Sequence, residues 1–254
     1  FGGGGVAFSG GVDSSFLLRT ALDVLGPDKV LLLHARSCLQ KKRDQERADS
    51  WLERHGYAAA QVQQRIIALQ PLDWQEFVAN PNNRCYLCKK KLYQLFQKIL
   101  HTEGISVLLD GTNSDDLRQG EQGRPGLQAL AELGIYTPLA DCALSKAEIR
   151  VLSKDLQLDT WEQPSSSCLA TRIPAGMQIT AKDLQWIEAL EQIILDSGFQ
   201  DCRVRLNNQA KKNIIIQLPK DNLGELCSFD KRETICNLLK DMGVGKIFLD
   251  LDGR

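Results

Sequence analysis

Ser9-Gly10-Gly11-Val12-Asp13-Ser14-Ser15 is the stretch on which the reading of this chain turns. It follows the apolar run Val6-Ala7-Phe8 and leads into Phe16-Leu17-Leu18, so two glycines and three small hydroxyls fall where a buried strand becomes a helix. At such a turn several backbone N–H groups converge at a helix N-terminus, where the helix dipole also favours negative charge. The spacing predicts a phosphate cradle. Neither Gly-x-x-x-x-Gly-Lys-Ser/Thr nor Gly-x-Gly-x-x-Gly is present, so the loop is of neither the kinase-like nor the dinucleotide type. An ordinary glycine-containing turn is the competing account.

Outward from this turn the pattern alternates. Strands are predicted over 6–8, 29–35, 65–69 and 105–110, with helices over 12–25, 44–55 and 86–101. Continuous leucine and β-branched runs suit parallel strands covered on both faces, which makes this an α/β, doubly wound parallel sheet. Ligands bind such sheets at the carboxyl ends of the strands, where both the Ser9 loop and Asp110-Gly111-Thr112-Asn113 fall. The polar, glycine-containing stretch 114–126 is expected to be an active-site loop, and Ser145 with Glu148 to open a helix as a capping box. From Pro174 the composition shifts. A helix over 183–196, strands over 202–206, 213–218 and 246–251, and a helix over 231–242 predict a smaller C-terminal α+β domain. The expected division is 1–173 for the nucleotide domain and 174–254 for a substrate domain, and 254 residues at 43% hydrophobic content suffice for two cores.

The net charge of −1, with no basic tail, gives no support for a large nucleic-acid footprint, so nucleic acid is not an expected partner. No apolar run has membrane-spanning length and no signal-peptide pattern opens the chain, so it reads as cytoplasmic; the protein is expected to begin upstream of the glycine run at 2–5. In that compartment eight cysteines are not a disulfide framework. Cys38, Cys142, Cys202, Cys227 and Cys236 sit singly in apolar or strand-like surroundings and are expected to be small core residues. The other three differ. Cys85-Tyr86-Leu87-Cys88 puts two thiols one turn apart at the start of a helix carrying Lys89-Lys90-Lys91, a setting that favours thiolates. Cys168 lies between Pro164 and Pro174, in a stretch too polar for a core element, and is expected in a loop beside Arg172. Three thiolates can bind zinc with a fourth ligand, or a four-iron cluster with one iron left open; His34, His55 and His101 each read more readily as structural.

The Ser9–Ser15 stretch resembles the PP-loop of ATP pyrophosphatases, which cleave ATP between the α and β phosphates. Four further stretches match in order: Asn-Pro-x-x-Arg-Cys-Tyr-x-Cys-Lys at 80–89, Asp-Gly-Thr-Asn-x-Asp-Asp at 110–116, Arg-Pro-Gly at 124–126 and Ser-Cys-Leu-Ala-Thr-Arg-Ile-Pro at 167–174. Together they make the chain resemble the LarE-type family of ATP-dependent sulfur transferases, which act in nickel-pincer cofactor biosynthesis. One branch of that family gives up the sulfur of a single cysteine. Another, which this chain resembles, has three cysteines matching Cys85, Cys88 and Cys168 and carries a [4Fe-4S] cluster whose open iron holds the sulfide to be transferred. Members usually carry a helix before the first strand and a longer tail after the final Leu-Asp-Leu; their absence here is expected to bear on oligomer contacts or the substrate site.

The resemblance implies ATP and Mg2+ as cofactors, sulfide or another sulfur donor, a homo-oligomer (a hexamer), and no membrane partner. ATP would adenylate a carboxylate of a pyridinium dicarboxylate mononucleotide, and sulfur would then displace AMP to give a thiocarboxylate. Ser9, Gly10, Gly11, Asp13, Ser14 and Ser15 would hold the β and γ phosphates, with Asp13 reaching magnesium through water. Arg36 and Ser37 would lie near the adenine; Asp110, Gly111 and Thr112 would shape the ribose and α-phosphate side. Asp13 and Cys168 are the expected catalytic residues. Asp115 and Asp116 are candidates for metal or substrate positioning and Lys146 for phosphate, each with a solvent-facing account beside it. Arg203 and Arg205, two apart on a predicted strand, share a face and are expected to bind the substrate phosphate, against a plain salt-bridged sheet edge. Two other functions stay open at this stage: a PP-loop tRNA thiolase, and a non-catalytic nucleotide- or metal-binding regulator.

Overall fold

The structure, a computed structural model, describes residues 3–58, 61–120, 125–207 and 210–254. The chain forms two compact units, one of Phe1–Pro71 with Asn83–Ser166 and one of Leu72–Asn82 with Ser167–Arg254.

In the first unit β1 (Gly4–Phe8) leads through the Ser9 loop into α1 (Val12–Leu25), which stops at Gly26, φ 90°. β2 (Val30–Arg36) follows, then α2 (Lys42–Asp49) and α3 (Trp51–Arg54), then β3 (Gln63–Ala68). The single helix expected over 44–55 is broken at Ser50, whose hydroxyl donates to the Glu46 carbonyl at 2.8 Å and competes with the helical ladder. The chain then passes through the second unit, where it forms α4 (Gln75–Val78), and returns as the long helix α5 (Arg84–Thr102) and β4 (Leu108–Leu109). The sheet order is β3-β2-β1-β4, with every pair parallel. β4 is shorter than expected because the Asp110 N–H leaves the β1 ladder and donates to the Tyr136 carbonyl at 2.9 Å.

The described residues of the 114–126 stretch are helical. They form α6 (Ser114–Gly120) and the start of α7 (Pro125–Glu132). Asn113 and Asp116 cap α6 reciprocally, Asp116 N–H to Asn113 Oδ1 at 3.0 Å and Asn113 N–H to Asp116 Oδ2 at 3.3 Å, and Pro125 suits the first turn of α7. Arg124, in the Arg-Pro-Gly motif, lies outside the described residues. α8 (Pro138–Asp141) and α9 (Lys146–Asp155) complete the unit, the latter opened by the expected Ser145–Glu148 capping box.

The sheet is covered on both faces, and the pleat sorts its residues. Val6, Phe8 and Leu32 pack with α1, Trp51 and Ile149, whereas Ala7, Leu31 and Leu33 pack with Tyr93, Phe96 and Leu100 of α5.

The second unit pairs α10 (Ala181–Asp196) with a three-stranded sheet, β5 (Arg203–Asn207), β6 (Ala210–Gln217) and β7 (Ile247–Leu249), β5 antiparallel and β7 parallel to β6. α11 (Leu223–Leu226) and α12 (Phe229–Asp241) lie between β6 and β7. Leu184, Ile187, Val204, Leu206, Ile214, Ile216 and Leu239 are all buried in this unit. Asn80 joins its two segments. Fully buried at φ 57°, it donates from Nδ2 to the Pro174 and Met177 carbonyls at 2.8 and 2.9 Å. Of the five cysteines expected in the core only Cys202 is buried; Cys38, Cys142 and Cys227 are exposed, since they lie in a turn or at a helix C-cap, and Cys236 of α12 is half-buried. No helix among the described residues is long and apolar enough to cross a membrane.

Gly5 marks the tightest approach of α5 to the sheet, since a Cβ there would lie 2.5 Å from Leu100 Cδ2. Gly5→Ala is expected to cost about 1–3 kcal/mol in urea unfolding, and Leu100→Val in the same chain to recover part of it. Additive losses would show that the two sites do not share this contact.

Candidate active site

The loop after β1 is built to leave amides open. Gly11, at the N-cap of α1, has no side chain to offer the first-turn N–H groups, so these are left for a ligand. The Ser14 hydroxyl instead ties the loop to itself: it donates to the Gly11 carbonyl at 3.1 Å and accepts the Ser9 N–H at 3.2 Å. Gly10 takes φ 79° where a Cβ would stand 2.7 Å from Ala48 Cβ, so the loop closes onto α2 only with glycine here. His34 of β2 anchors the last residue of β1. Its Nδ1 lies 2.9 Å from the Phe8 carbonyl, which can only accept, so Nδ1 carries the proton; burial holds the imidazole pKa below its ordinary value.

Beside the loop opens a cleft of about 300 Å³. Ser9, Gly11, Asp13, Ser14, Gly111, Thr112 and Asp116 form its polar side, and Ala7, Ala35, Leu92, Tyr93 and Phe96 its apolar side. Ser15 lies outside that lining: it is fully buried and its N–H closes the first helical bond to the Gly11 carbonyl at 2.9 Å. Arg36 and Ser37 are also outside it. Arg36 turns to Asp49 at 2.8 Å and Ser37 caps the following turn, while Ala35 and Gln40 face the cleft.

Asp110 organises the wall that lies against the loop. Its carboxylate accepts the Tyr93 hydroxyl, the Thr112 hydroxyl and, at 2.8 Å, the Thr112 N–H. Burial, and then the Asp110 charge, push the Tyr93 pKa well above the phenolic range, so Tyr93 remains a donor. Gly111 lets this segment lie on the loop backbone, as a Cβ there would meet Ser14 N at 3.0 Å. Asp13, at the cleft, takes Lys146 Nζ on Oδ2 at 2.5 Å and Asn113 Nδ2 on Oδ1 at 3.3 Å. Asp115 accepts the Lys146 N–H at 2.8 Å and so fixes the start of α9, while Asp116 caps α6 and also lines the cleft.

Three cleft residues, Leu92, Tyr93 and Phe96, lie outside the motifs of the sequence, and Lys89 closes the 80–89 motif with no cleft role assigned to it there. Lys89, Leu92, Tyr93 and Phe96 recur at helical spacing along α5, a signal that also describes any helix packed on a sheet. Cys85 and Cys88 sit one turn N-terminal of Lys89 and Leu92 on the same stripe, Cys85 exposed and Cys88 half-buried. Tyr86 between them donates to Glu132 of α7 at 2.7 Å, with Lys90 Nζ 2.8 Å from the same oxygen.

Cys168 belongs to the second unit and is half-buried. Its loop is built round Arg172, which is fully buried. The guanidinium pairs with Glu191 at 2.8 Å and donates to the Ser167 carbonyl, Ser167 Oγ and Thr171 Oγ1 at 2.9, 2.5 and 2.9 Å. Arg203 and Arg205 share a face of β5, as the period of two requires. Arg205 donates to Gln217 Oε1 at 2.7 Å and to the Thr171 carbonyl at 3.2 Å, whereas Arg203 Nε is buried with no hydrogen-bond partner. Burial, and then the guanidiniums of Arg254 and Arg172, push Arg203 down to about 10; Arg205 is lowered by the same causes. This is a crowd of cations suited to an anion. Among the described residues no three His, Cys, Asp or Glu side chains come together within either unit to hold a metal ion.

A parallel sheet with an uncapped glycine loop at the end of its central strand, beside a half-apolar cleft, defines an α/β protein of the PP-loop class. No family model matches the chain. It is 32% identical over 248 residues to the pyridinium-3,5-bisthiocarboxylic acid mononucleotide synthase of Lactiplantibacillus plantarum, covering 98% of this chain and 85% of that protein. An uncharacterized protein of Synechocystis is 33% identical over 250 residues, 98% of this chain and 88% of the relative. A component of the glutamine-hydrolyzing GMP synthase of Thermoplasma volcanium is 28% identical over 200 residues, 74% of this chain and 62% of its own length. The chain belongs to the LarE-type family of ATP-dependent sulfur transferases.

Removing one partner of a fully buried ion pair strands the other charge. Glu191→Gln is therefore expected to destabilise the protein by about 3 kcal/mol in chemical denaturation, far more than Asp23→Asn at the exposed Arg19 pair. Equal losses at the two positions would contradict the burial argument.

Proposed function

We propose that this enzyme adenylates a carboxylate of a pyridinium dicarboxylate mononucleotide with ATP and converts it to a thiocarboxylate, in nickel-pincer cofactor biosynthesis. The observation that carries the reading is the uncapped Ser9–Ser14 loop opening onto a cleft with a polar and an apolar side. The apolar side suits a purine, and the open amides suit phosphate.

In the first step a carboxylate oxygen bonds to the α-phosphorus of ATP, and the bond from that phosphorus to the oxygen bridging to the β-phosphorus breaks. Pyrophosphate leaves with the electron pair. Ser9, Gly10, Gly11 and Ser14 hold it, the N–H groups of the last three offsetting the charge that develops on the leaving oxygen. Gly111 and Thr112, held by Asp110, bound the α-phosphate side. Mg2+ would supply charge neutralisation on the phosphates when bound, and Asp13, a hard oxygen donor that lines the cleft, would reach it through water. In the second step a sulfur nucleophile bonds to the acyl carbon and AMP departs with the electron pair of the broken C–O bond. Arg203 and Arg205 hold the substrate phosphate; the buried, unsatisfied Arg203 Nε and the crowding of cations around it support this role.

For the sulfur, the reading assigns a [4Fe-4S] cluster to Cys85, Cys88 and Cys168. The fit rests on donor chemistry: these three thiols are soft ligands, at least partly accessible, one pair at helical i, i+3 spacing, whereas Cys202 is buried. Iron and acid-labile sulfide in anaerobically purified protein, lost in Cys85→Ser, would support it. Stoichiometric zinc, or loss of one sulfur from Cys168 in a single turnover, would overturn it.

ATP turnover is expected to yield AMP and pyrophosphate, followed by phosphorus NMR; ADP as the main product would defeat the reading, and binding without turnover would favour a regulator. Arg203→Ala or Arg205→Ala should raise KM for the carboxylated nucleotide about tenfold or more while leaving KM for ATP nearly unchanged. Equal effects on both would assign the pair to structure.

A further inference from the structure

We infer that Lys89 takes a phosphoryl oxygen of the bound nucleotide, and that Gly126, in the Pro-Gly step opening α7, is the positioning residue that lets it do so. The inference rests on the ATP reading above and adds two residues to it.

The charges of the cleft lead to this lysine. Of the described lining residues, Asp13, Asp110 and Asp116 are anionic and Lys89 is the one cation. Each carboxylate is already engaged: Asp13 by Lys146 and Asn113, Asp110 by Tyr93 and Thr112, Asp116 by the Asn113 N–H. Among the described residues no carboxylate lies within ion-pair distance of Lys89, although its neighbour Lys90 pairs with Glu132 at 2.8 Å. An ammonium group that lines a cleft whose carboxylates are all taken is available to an incoming anion.

Its position suits a phosphate more than a base. α5 begins at the carboxyl-end side of the parallel sheet, where the Ser9 loop lies, and runs back down it. Leu92 and Phe96 are three and seven residues further along, about 4.5 and 10.5 Å deeper by helical rise. Lys89 is thus at the mouth and the apolar side chains are on the floor.

The stem of Lys89 is guided on two sides. Its Nζ stands 5.8 Å from the centroid of the Tyr93 ring, and Tyr93 is itself locked to Asp110. On the other side a Cβ at Gly126 would approach Lys89 Cδ to 3.2 Å, with Cε at 3.7 Å and Cγ at 3.8 Å. A side chain at 126 would press on the aliphatic stem and redirect the ammonium group. Gly126 has no positive φ, so its lack of a side chain answers to this neighbour and not to backbone conformation.

The test compares adenosine, AMP and ATP binding by calorimetry on the whole protein at fixed ionic strength. Lys89→Met keeps the stem and removes the charge; it should weaken AMP and ATP about tenfold and leave adenosine unchanged. A deficit seen with ATP and not AMP would assign the contact to the β or γ phosphate, and one seen with both to the α-phosphate. Gly126→Val should weaken the phosphorylated ligands at least threefold, although valine is a better helix former than glycine, and should have no further effect in the Lys89→Met background. Unchanged AMP and ATP affinity in Lys89→Met, or equal loss of adenosine, would overturn the assignment. Additive effects of the two substitutions would overturn the role of Gly126. Wild-type protein that bound no adenine nucleotide would instead defeat the ATP reading, and this inference with it.

Discussion

The central position of β1 is the constraint from which the site follows. Hydrogen-bonded to β2 on one side and β4 on the other and buried along its whole length, β1 has its backbone groups satisfied up to Phe8. Past Phe8 the ladder ends, and an uncapped helix begins four residues later, at Val12. The N–H groups in that interval have no strand and no complete helix to bond with, so they are left concentrated at the carboxyl edge of the sheet. A phosphate-sized anion satisfies such groups without any dedicated side chain, which is why glycine and small hydroxyls suffice there.

Elsewhere the protein satisfies buried polar groups by converging donors on single carboxylates. Asp110 collects the Tyr93 hydroxyl and two donors of Thr112, and so fixes a helix, a strand end and a turn with one side chain. In the second unit Glu191 accepts both Arg172 and the Val204 N–H, and Arg172 in turn holds four oxygens of the 167–171 loop around Cys168. Each arrangement is costly to bury and costlier to break, so it fixes the reacting loops in one geometry.

Several motif residues that invite a chemical reading have packing roles. Asn80 closes the second unit on itself from a left-handed backbone position that asparagine tolerates. Tyr86, between the two thiols, is a bracket between α5 and α7. Asp115 steers the backbone of Lys146. The chemistry of these stretches resides in their neighbours, Lys89, Asp13 and the cysteines.

Much of the fold is legible in the sequence because its signals are local. The end of α1 at Gly26, the Ser145–Glu148 box, the order of strands and helices and the shared face of Arg203 and Arg205 follow from turn chemistry and from periods of 3.6 and 2. The 114–126 stretch reads as a loop, yet its described residues are helical, started by an Asn–Asp cap and a proline in an otherwise polar, glycine-containing run. What the tertiary structure alone decided is which distant side chains meet: Lys146 on Asp13, Tyr93 on Asp110, Arg172 buried on Glu191, Gly126 against Lys89. Residues 133 apart in sequence carry no local mark of their contact. Such pairs arise when layers of helices close on a sheet and burial removes water as the alternative partner, a condition set by the whole fold and by no window of the chain.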